Sequence, residues 1–212
     1  KLHRNVSNGL DEEVAPKISA DGNSLVFLYK AHIGGGWKIY YSRKKSGNWG
    51  RAFELPIVNK QSNLIQFGGF SLNEDGSVIY FSSKKYGGVG GFDLWQSARI
   101  NDKEWTEPVN LFKPINTVGN ECSPSISADG NYMYFTRSDN MNAVGSSCGD
   151  IYVSKRRGKS WSEAVVLPSP INTGCESSPF IHPDGKTLYF SSSRKGGKGK
   201  LDLYLSKNVD GD

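Results

Sequence analysis

The chain has 212 residues and a formal net charge of +5 at pH 7, and 36% of its residues are hydrophobic. That length and apolar content exclude a disordered chain and suffice for one domain with a core of its own. The apolar runs are too short for a membrane-spanning helix, and residues 1–8 lack the apolar segment of a signal peptide. The 25 Gly, the 2 Met and the 12% aromatic residues favour many short strands and turns.

An Asp-Gly dipeptide recurs along the chain in steps of 54, 54 and 55 residues. The four copies are Asp21-Gly22, Asp75-Gly76, Asp129-Gly130 and Asp184-Gly185. Each is followed by a short run of β-branched and aromatic residues, and three of them are preceded by a Pro-x-Ile segment. Asp-Gly between two such runs is typical of a β-hairpin, so we predict that each copy joins the first and second strands of a repeated unit.

Each unit continues with a glycine-rich stretch and a third strand. In three units a tryptophan then opens a fourth short strand, and these residues are Trp49, Trp105 and Trp161. Four strands in a tandem unit of about 54 residues predict an all-β fold, namely a β-propeller of four repeats, each a four-stranded antiparallel blade. The predicted single domain covers residues 1–212, with blade repeats at approximately 13–63, 64–120, 121–175, and 176–212 plus 1–8.

The fourth repeat reaches only its third strand, which ends near Leu205. At the other end of the sequence, Asn8 stands five residues before Glu13, as Asn116 stands five residues before Glu121. Residues 1–8 therefore correspond to the segment in front of a first strand. We expect either a closed ring, in which residues 1–8 complete the last blade as its outer strand, or a part of a larger ring.

Acidic residues recur just before the predicted innermost strands, at Glu13, Glu121 and Glu176. Equivalent positions in the blades of a propeller lie at the same end of the channel, so we expect the three carboxylates around one channel mouth. Two interpretations are open. Each carboxylate ties neighbouring blades together through hydrogen bonds, or the three form an anionic ring that binds a cation or a basic side chain of a partner.

Basic residues recur at the end of the second strand, at Lys84, Arg137 and Arg194. An aspartate recurs at the start of the third strand, at Asp93, Asp150 and Asp202. We expect an ion pair between these two positions within each blade, which would orient the glycine-rich loop between them. The alternative is that these side chains contact a ligand.

The three cysteines fall on one face of the predicted propeller. Cys122 and Cys175 precede the first strands of neighbouring blades, and Cys148 lies in the glycine-rich loop between them. A disulfide from Cys148 to Cys175 or to Cys122 is geometrically reasonable and would fit an oxidising compartment. The alternative is three free thiols in a reducing compartment.

The sequence predicts no metal site, no cofactor and no catalytic residues. The three His residues stand at no metal-ligand spacing. Residues 145–149 match a Gly-x-Ser-x-Gly elbow, but they join two antiparallel strands, whereas that elbow requires a strand-to-helix turn. The repeats also do not assemble the two positioned carboxylates that glycoside hydrolysis needs.

Basic clusters occur at residues 43–45, 155–157 and 194–200. The first two belong to turns on one face of the predicted propeller and the third to loops on the other face. Proteins that bind nucleic acid favour one continuous basic stripe interleaved with aromatic residues. We therefore do not expect nucleic-acid binding.

Residues 176–192 (ESSPFIHPDGKTLYFSS) and 201–204 (LDLY) resemble the PD40 repeat, a WD40-like β-propeller repeat of the TolB type. The linkers at 105–111 (WTEPVNL) and 161–167 (WSEAVVL) are equally similar to it, and the resemblance covers essentially the whole chain. This variety of repeat is similar to those of OmpA-family, peptidoglycan-associated envelope proteins of Bacteroidota. The resemblance implies a periplasmic or cell-envelope protein associated with the outer membrane.

The resemblance implies a non-catalytic propeller that binds or scaffolds envelope proteins. Its partner surface is expected on the top face, which we define as the end that carries the glycine-rich loops and the loops leading into the first strands. The residues expected there are Glu13, Glu121, Glu176, Arg137 and Arg194. The alternative is a propeller that binds or hydrolyses cell-wall or surface glycans, with Trp37 or Trp95 as the stacking platform of a lectin-like site.

Overall fold

The computed structural model describes residues 6–7, 11–31, 36–55, 65–84, 87–139 and 148–208, with only the backbone of residues 65–68. Its seventeen strands form four antiparallel sheets around a central channel. The predicted all-β propeller of four blades is therefore confirmed. Across the described ranges, no helix has the length and apolar character needed to cross a membrane.

The innermost strand of each blade comes first in the sequence, and the later strands add outward. Blade 1 contains β1 (Glu12–Ile18), β2 (Ser24–Lys30), β3 (Lys38–Lys45), β4 (Asn48–Trp49) and β5 (Phe53–Glu54). Blade 2 contains β6 (Ile65–Leu72), β7 (Val78–Ser83), β8 (Asp93–Ala98) and β9 (Val109–Asn110). Blade 3 contains β10 (Asn120–Ile126), β11 (Tyr132–Ser138), β12 (Asp150–Arg157), β13 (Ser160–Trp161) and β14 (Val165–Val166). Blade 4 contains β15 (Glu176–Ile181), β16 (Thr187–Ser192) and β17 (Asp202–Lys207).

The predicted fourth strand takes two forms. In blades 1 and 3 it is divided into two short segments, and both pair with the third strand. In blade 4 the described residues form three strands. The predicted closure by residues 1–8 falls mostly outside the described residues, of which Val6 is buried against Leu25 and Phe27 of blade 1.

The Asp-Gly pairs form the turns between the first and second strands because their chemistry suits the backbone there. The glycines adopt a left-handed conformation that costs them no steric strain. Their φ angles lie between 66° and 71° at Gly22, Gly76, Gly130 and Gly185. The aspartate accepts a hydrogen bond from a backbone N–H two residues on, for example over 2.8 Å from Lys186 N to Asp184 Oδ1.

The hydrophobic core lies between successive blades. Two fourth-strand tryptophans fill the interfaces with the preceding blade. Trp105 packs edge-on against Tyr41 of blade 1, with ring centroids 5.2 Å apart. Trp161 packs in the same way against Tyr80 of blade 2, at 6.2 Å. In blades 2 and 3 this tryptophan therefore joins its blade to the one before it.

The innermost strands line the channel, and those of blades 1, 3 and 4 are interrupted by a β-bulge near their top end. At the bulge a residue other than glycine has a φ of 52°, and these residues are Ala15, Ser123 and Ser178. At the opposite end a cavity of about 340 Å³ is lined by residues of all four blades. There the Lys17 ammonium of blade 1 lies 5.6 Å from the ring centre of Phe180 of blade 4.

Candidate functional site

The carboxylate of Glu121 is fully buried at the top end of β10. Its Oε1 accepts hydrogen bonds from Arg137 Nε at 3.0 Å and Thr117 Oγ1 at 2.6 Å, and its Oε2 accepts one from the Thr117 N–H at 3.1 Å. Burial raises the pKa of this carboxyl, while the hydrogen bonds from Thr117 and the charge of Arg137 oppose the rise. Arg137 also donates to the Ile115 carbonyl and covers the Tyr152 ring. The pair thus fastens the loop before β10 to β11.

Blade 4 repeats this arrangement at the start of β15. The Glu176 carboxylate is fully buried, and its Oε1 accepts hydrogen bonds from Ser192 Oγ at 2.8 Å and from the Gly174 N–H at 3.1 Å. Arg194 Nη2 lies 3.5 Å from the same oxygen. The guanidinium also donates to the Ile171 carbonyl. The loop before β15 is therefore fastened to the end of β16 by the same kind of pair.

Glu13 occupies the corresponding place in blade 1, and its side chain is half-buried. Its Oε2 accepts a hydrogen bond from Ser7 Oγ at 2.9 Å, and its Oε1 is a buried oxygen without a hydrogen-bond partner among the described residues. The three glutamates lie at the same end of three innermost strands. Because the carboxylates of Glu121 and Glu176 are bonded within the chain, their contacts favour the structural interpretation over a free anionic ring.

In blades 2 and 4 the third-strand aspartate holds the glycine-rich loop through hydrogen bonds from the loop backbone. Asp93 Oδ2 accepts from the Val89 N–H at 2.6 Å, and Asp202 Oδ2 accepts from the Lys198 N–H at 2.9 Å. Burial raises the pKa of the Asp93 carboxyl. The predicted ion pairs between these aspartates and the second-strand arginines are not formed in blades 3 and 4, where the arginines pair with the glutamates. In blades 2 and 4 the aspartate orients the loop by accepting hydrogen bonds from N–H groups of the loop backbone.

A disulfide links Cys148 to Cys175, with Cα atoms 4.4 Å apart. It joins the glycine-rich loop of blade 3 to the loop before β15. Beside it, the Glu176 N–H donates to the Gly149 carbonyl at 2.9 Å. Cys122 is a free and buried thiol whose pKa is raised to about 12 by burial, so it stays protonated. The top faces of blades 3 and 4 are thus joined covalently as well as by hydrogen bonds.

The loop between β9 and β10 presents two exposed apolar side chains that sequence reasoning missed. Phe112 is 53% exposed and Val118 is 72% exposed. Phe112 has a φ of 46°, an uncommon value for a bulky residue; its N–H donates to Asn110 Oδ1 at 2.6 Å, and its carbonyl accepts from the Asn116 N–H at 2.8 Å. A strained, exposed aromatic residue suggests a binding role. In the sequence, Phe112 differs from its counterparts, because units 1 and 3 have proline at the corresponding position.

The remaining candidate residues from the sequence lie in different environments. Trp95 is buried and its indole N–H donates to the Ser83 carbonyl at 3.3 Å, so its face is closed to a sugar. Trp37 is half-buried, with the Lys30 ammonium 5.6 Å from its ring centre. Residues 145–147 of the Gly-x-Ser-x-Gly segment lie outside the described residues. Within the described ranges, no group of three or more His, Cys, Asp or Glu side chains could hold a metal ion.

Comparison with known proteins relates the chain to propellers of low sequence identity. No protein-family model and no curated protein matches it. It is similar to a TolB from Agrobacterium tumefaciens, with a TM-score of 0.57 and 16% identity over 93% of this chain and 58% of that one. It is similar to TolB from Acinetobacter baumannii, with a TM-score of 0.55 and 14% identity over 93% of this chain and 41% of that one.

A structure from a study of two prolyl endopeptidases is also similar, with a TM-score of 0.55 and 15% identity over 96% of this chain and 29% of that one. The chain therefore spans less than two thirds of the length of each of these proteins. At such identities the similarity shows the TolB-type propeller fold, and activity has to be argued from the site itself.

Proposed function

We propose that the chain is a non-catalytic propeller module that binds or scaffolds protein partners through its top face. The observation that carries this proposal is the loop at residues 111–119, which holds Phe112 and Val118 exposed on a backbone fastened by the buried Glu121–Arg137 pair. Apolar side chains on a backbone that is already fixed require less ordering of the chain on binding, so they are suited to anchor a partner.

The proposed partner surface extends over blades 3 and 4. Glu176 and Arg194 fasten the loop before β15, and the Cys148–Cys175 disulfide ties that loop to the neighbouring glycine-rich loop. Leu201, in the next glycine-rich loop, is exposed. In this proposal Glu13, Glu121, Glu176, Arg137 and Arg194 act as positioning residues of the partner-binding surface.

We place the module in the bacterial envelope, in a periplasmic protein associated with the outer membrane. Two observations support this location. The repeats resemble those of OmpA-family, peptidoglycan-associated proteins, and the Cys148–Cys175 disulfide suits an oxidising compartment such as the periplasm. The proposed partners are accordingly proteins of the cell envelope.

The test is capture from a bacterial envelope extract followed by a direct binding measurement. The baits are the wild type, the double variant Phe112→Ser/Val118→Ser and a matched control, Ile100→Ser, which changes an exposed apolar residue outside the top face. Captured proteins are identified by mass spectrometry, purified and titrated calorimetrically. We expect a defined protein that binds the wild type and the control equally, and the double variant at least about tenfold more weakly.

Two outcomes would contradict the proposal. Equal binding of one protein to all three baits would remove the loop at residues 111–119 from the partner surface. Retention of glycan without any protein would overturn the protein-binding function and favour the lectin-like alternative.

A further inference from the structure

The channel end opposite the top face, which we call the lower mouth, is formed by the four Asp-Gly turns and the adjoining ends of the innermost strands. All four turns lie within the described residues, and the cavity of about 340 Å³ lies among them. One position of its lining stands four residues before the aspartate of each Asp-Gly pair. In blades 1 to 4 this position holds Lys17, Ser71, Ser125 and Phe180. The repeated backbone therefore surrounds the cavity with an ammonium, two hydroxyls and an aromatic ring.

In blades 2 and 3 the serine at this position links its blade to the next one. Ser71 Oγ accepts a hydrogen bond from the Ile126 N–H of blade 3 at 3.3 Å. Ser125 Oγ accepts one from the Ile181 N–H of blade 4 at 3.0 Å. At this place the backbone N–H of each innermost strand therefore points away from its own sheet and towards the preceding blade.

Ile18 and Leu72 hold the corresponding places in blades 1 and 2, three residues before the aspartate of the turn. The blades that precede them supply Phe180 and Lys17, and neither side chain has an acceptor atom. The N–H groups of Ile18 and Leu72 thus lack the acceptor that serine gives to their counterparts. Two backbone donors of the lower mouth are free to bond to a ligand.

The Lys17 ammonium has no counter-ion of its own. No carboxylate of the described residues lies within 4.0 Å of it, and Glu74, the acidic residue of the cavity lining, is exposed. The aspartates of the four turns accept hydrogen bonds from the backbone of their own turns. The Lys17 side chain is half-buried, and burial lowers the pKa of its amine. A cation in such surroundings is stabilised when an anion binds beside it.

The rest of the lining is mostly apolar. Ile18 is 57% exposed and Phe180 is 40% exposed, and the prolines of the lining are Pro16, Pro124 and Pro183. A concave apolar site with a few convergent polar groups is typical of a small-molecule site, and about 340 Å³ is at the lower end of the usual range of volumes. The lining contains one lysine and no arginine, so it suits a singly charged carboxylate better than a phosphate.

We propose that the lower mouth binds a small organic acid with an apolar body. Its carboxylate pairs with the Lys17 ammonium and accepts a hydrogen bond from the Leu72 N–H. Its apolar body lies against Ile18 and Phe180 at the opening of the cavity. The charge fixes the orientation of the ligand, and the apolar contacts contribute to its affinity.

Isothermal titration calorimetry tests this with two acids, phenylbutyrate and hexanoate, and with phenylbutanol, a neutral ligand that has the apolar body of the first acid. The protein variants are Lys17→Met, which removes the charge but keeps an unbranched side chain, and the matched control Lys159→Met, at an exposed lysine in the turn between β12 and β13. We expect each acid to bind the wild type saturably at one molecule per protein. Lys17→Met should weaken both acids by at least about tenfold and change phenylbutanol by no more than about twofold.

Two further measurements make the result specific to the lower mouth. Lys17→Arg keeps the charge and should keep the preference for the acid over the alcohol. In NMR spectra of the wild type, the largest shifts caused by the acids should be those of the Ile18 and Leu72 amides. Circular dichroism verifies that each variant is folded, and Lys159→Met should bind all three ligands like the wild type.

Any one of four results would overturn the proposal: no saturable binding of either acid, equal affinity of the wild type for phenylbutyrate and phenylbutanol, equal losses from Lys17→Met and Lys159→Met, or amide shifts away from the lower mouth. The Phe112→Ser/Val118→Ser variant should bind the acids like the wild type. Failure of this proposal is therefore distinguishable from failure of the proposed top-face function.

Discussion

Each fully buried glutamate of the top face is surrounded by hydrogen-bond donors. At Glu176 the donors come from Ser192, Gly174 and Arg194. In Glu176→Gln the neutral amide keeps one acceptor oxygen but sets an NH2 group against those donors and leaves the Arg194 charge without its partner. We expect the free energy of unfolding to fall by about 3 kcal/mol, measured by urea denaturation with circular dichroism.

The control for this prediction is Glu163→Gln. Glu163 is exposed, so the same chemical change there should alter the free energy of unfolding by no more than about 0.5 kcal/mol. Similar small losses from both variants would show that the buried pair is not a structural tie.

The left-handed residues at the channel bulges are a second single-residue feature. Ser178 has a φ of 52° and an exposed side chain, so it carries the steric cost of this conformation without a packing gain. Glycine removes that cost but increases the entropy of the unfolded chain. We expect Ser178→Gly to raise the free energy of unfolding by about 0.5 kcal/mol. Ser206→Gly in β17 should instead lower it by about 0.5–1 kcal/mol, and a loss in both would contradict this account.

The carboxylate of Asp184 makes the free energy of unfolding depend on pH. The Lys186 N–H and the Thr187 hydroxyl and N–H all donate to its carboxylate and hold its pKa well below the usual range. An aspartate in the unfolded chain titrates near a pKa of about 3.9. Because the pKa is lower in the folded state, the stabilisation is present above about pH 4 and is lost as the pH falls below it.

We therefore expect the wild-type free energy of unfolding to decline more steeply between about pH 4 and pH 2 than that of Asp184→Asn, which no longer titrates at this position. Urea denaturation at a series of pH values measures both curves. Parallel curves for the two proteins would contradict the prediction.

At the scale of secondary-structure elements, the disulfide determines how firmly two top-face loops are joined. The Cys148–Cys175 bond closes a segment with a sequence separation of 27 residues. In the chain-entropy model such a cross-link stabilises the folded protein by about 3.5 kcal/mol, so we expect Cys148→Ser/Cys175→Ser to lower the free energy of unfolding by that amount. Because Cys122 is buried, iodoacetamide should label none of the cysteines of the native protein, and a mild reductant should expose two of them. Labelling of Cys148 or Cys175 in the unreduced native protein would contradict the pairing.

Among the structural elements, the hairpins can be predicted from the sequence, whereas the partner of Arg137 and the exposure of Phe112 cannot. The Asp-Gly hairpins follow from the sequence because a left-handed glycine and an accepting aspartate are local requirements. The partner of Arg137 does not follow, since in the sheet Arg137 stands between Glu121 on one side and Asp150 on the other. Only the packing of Tyr152 and the loop at Thr117 directs the guanidinium to the glutamate. The exposure of Phe112 likewise depends on how its loop folds over blades 2 and 3, which no short motif encodes.

At the scale of the whole molecule, stability comes from the apolar faces between successive blades, so the cost of a truncation depends on whether another blade covers that face. Ile151 of blade 3 and Leu203 of blade 4 share one register position, but only Ile151 is covered by a following blade. We expect Ile151→Ala to lower the free energy of unfolding by about 2–5 kcal/mol. Leu203→Ala should change it by no more than about 0.5 kcal/mol.

Urea denaturation of the two variants at several protein concentrations measures this difference. A large loss from Leu203→Ala that grows with protein concentration would mean that copies of the chain cover the face of blade 4 by associating, because only association makes stability depend on concentration. A large loss independent of concentration would mean that another part of the same chain covers it. A small loss agrees with an open face.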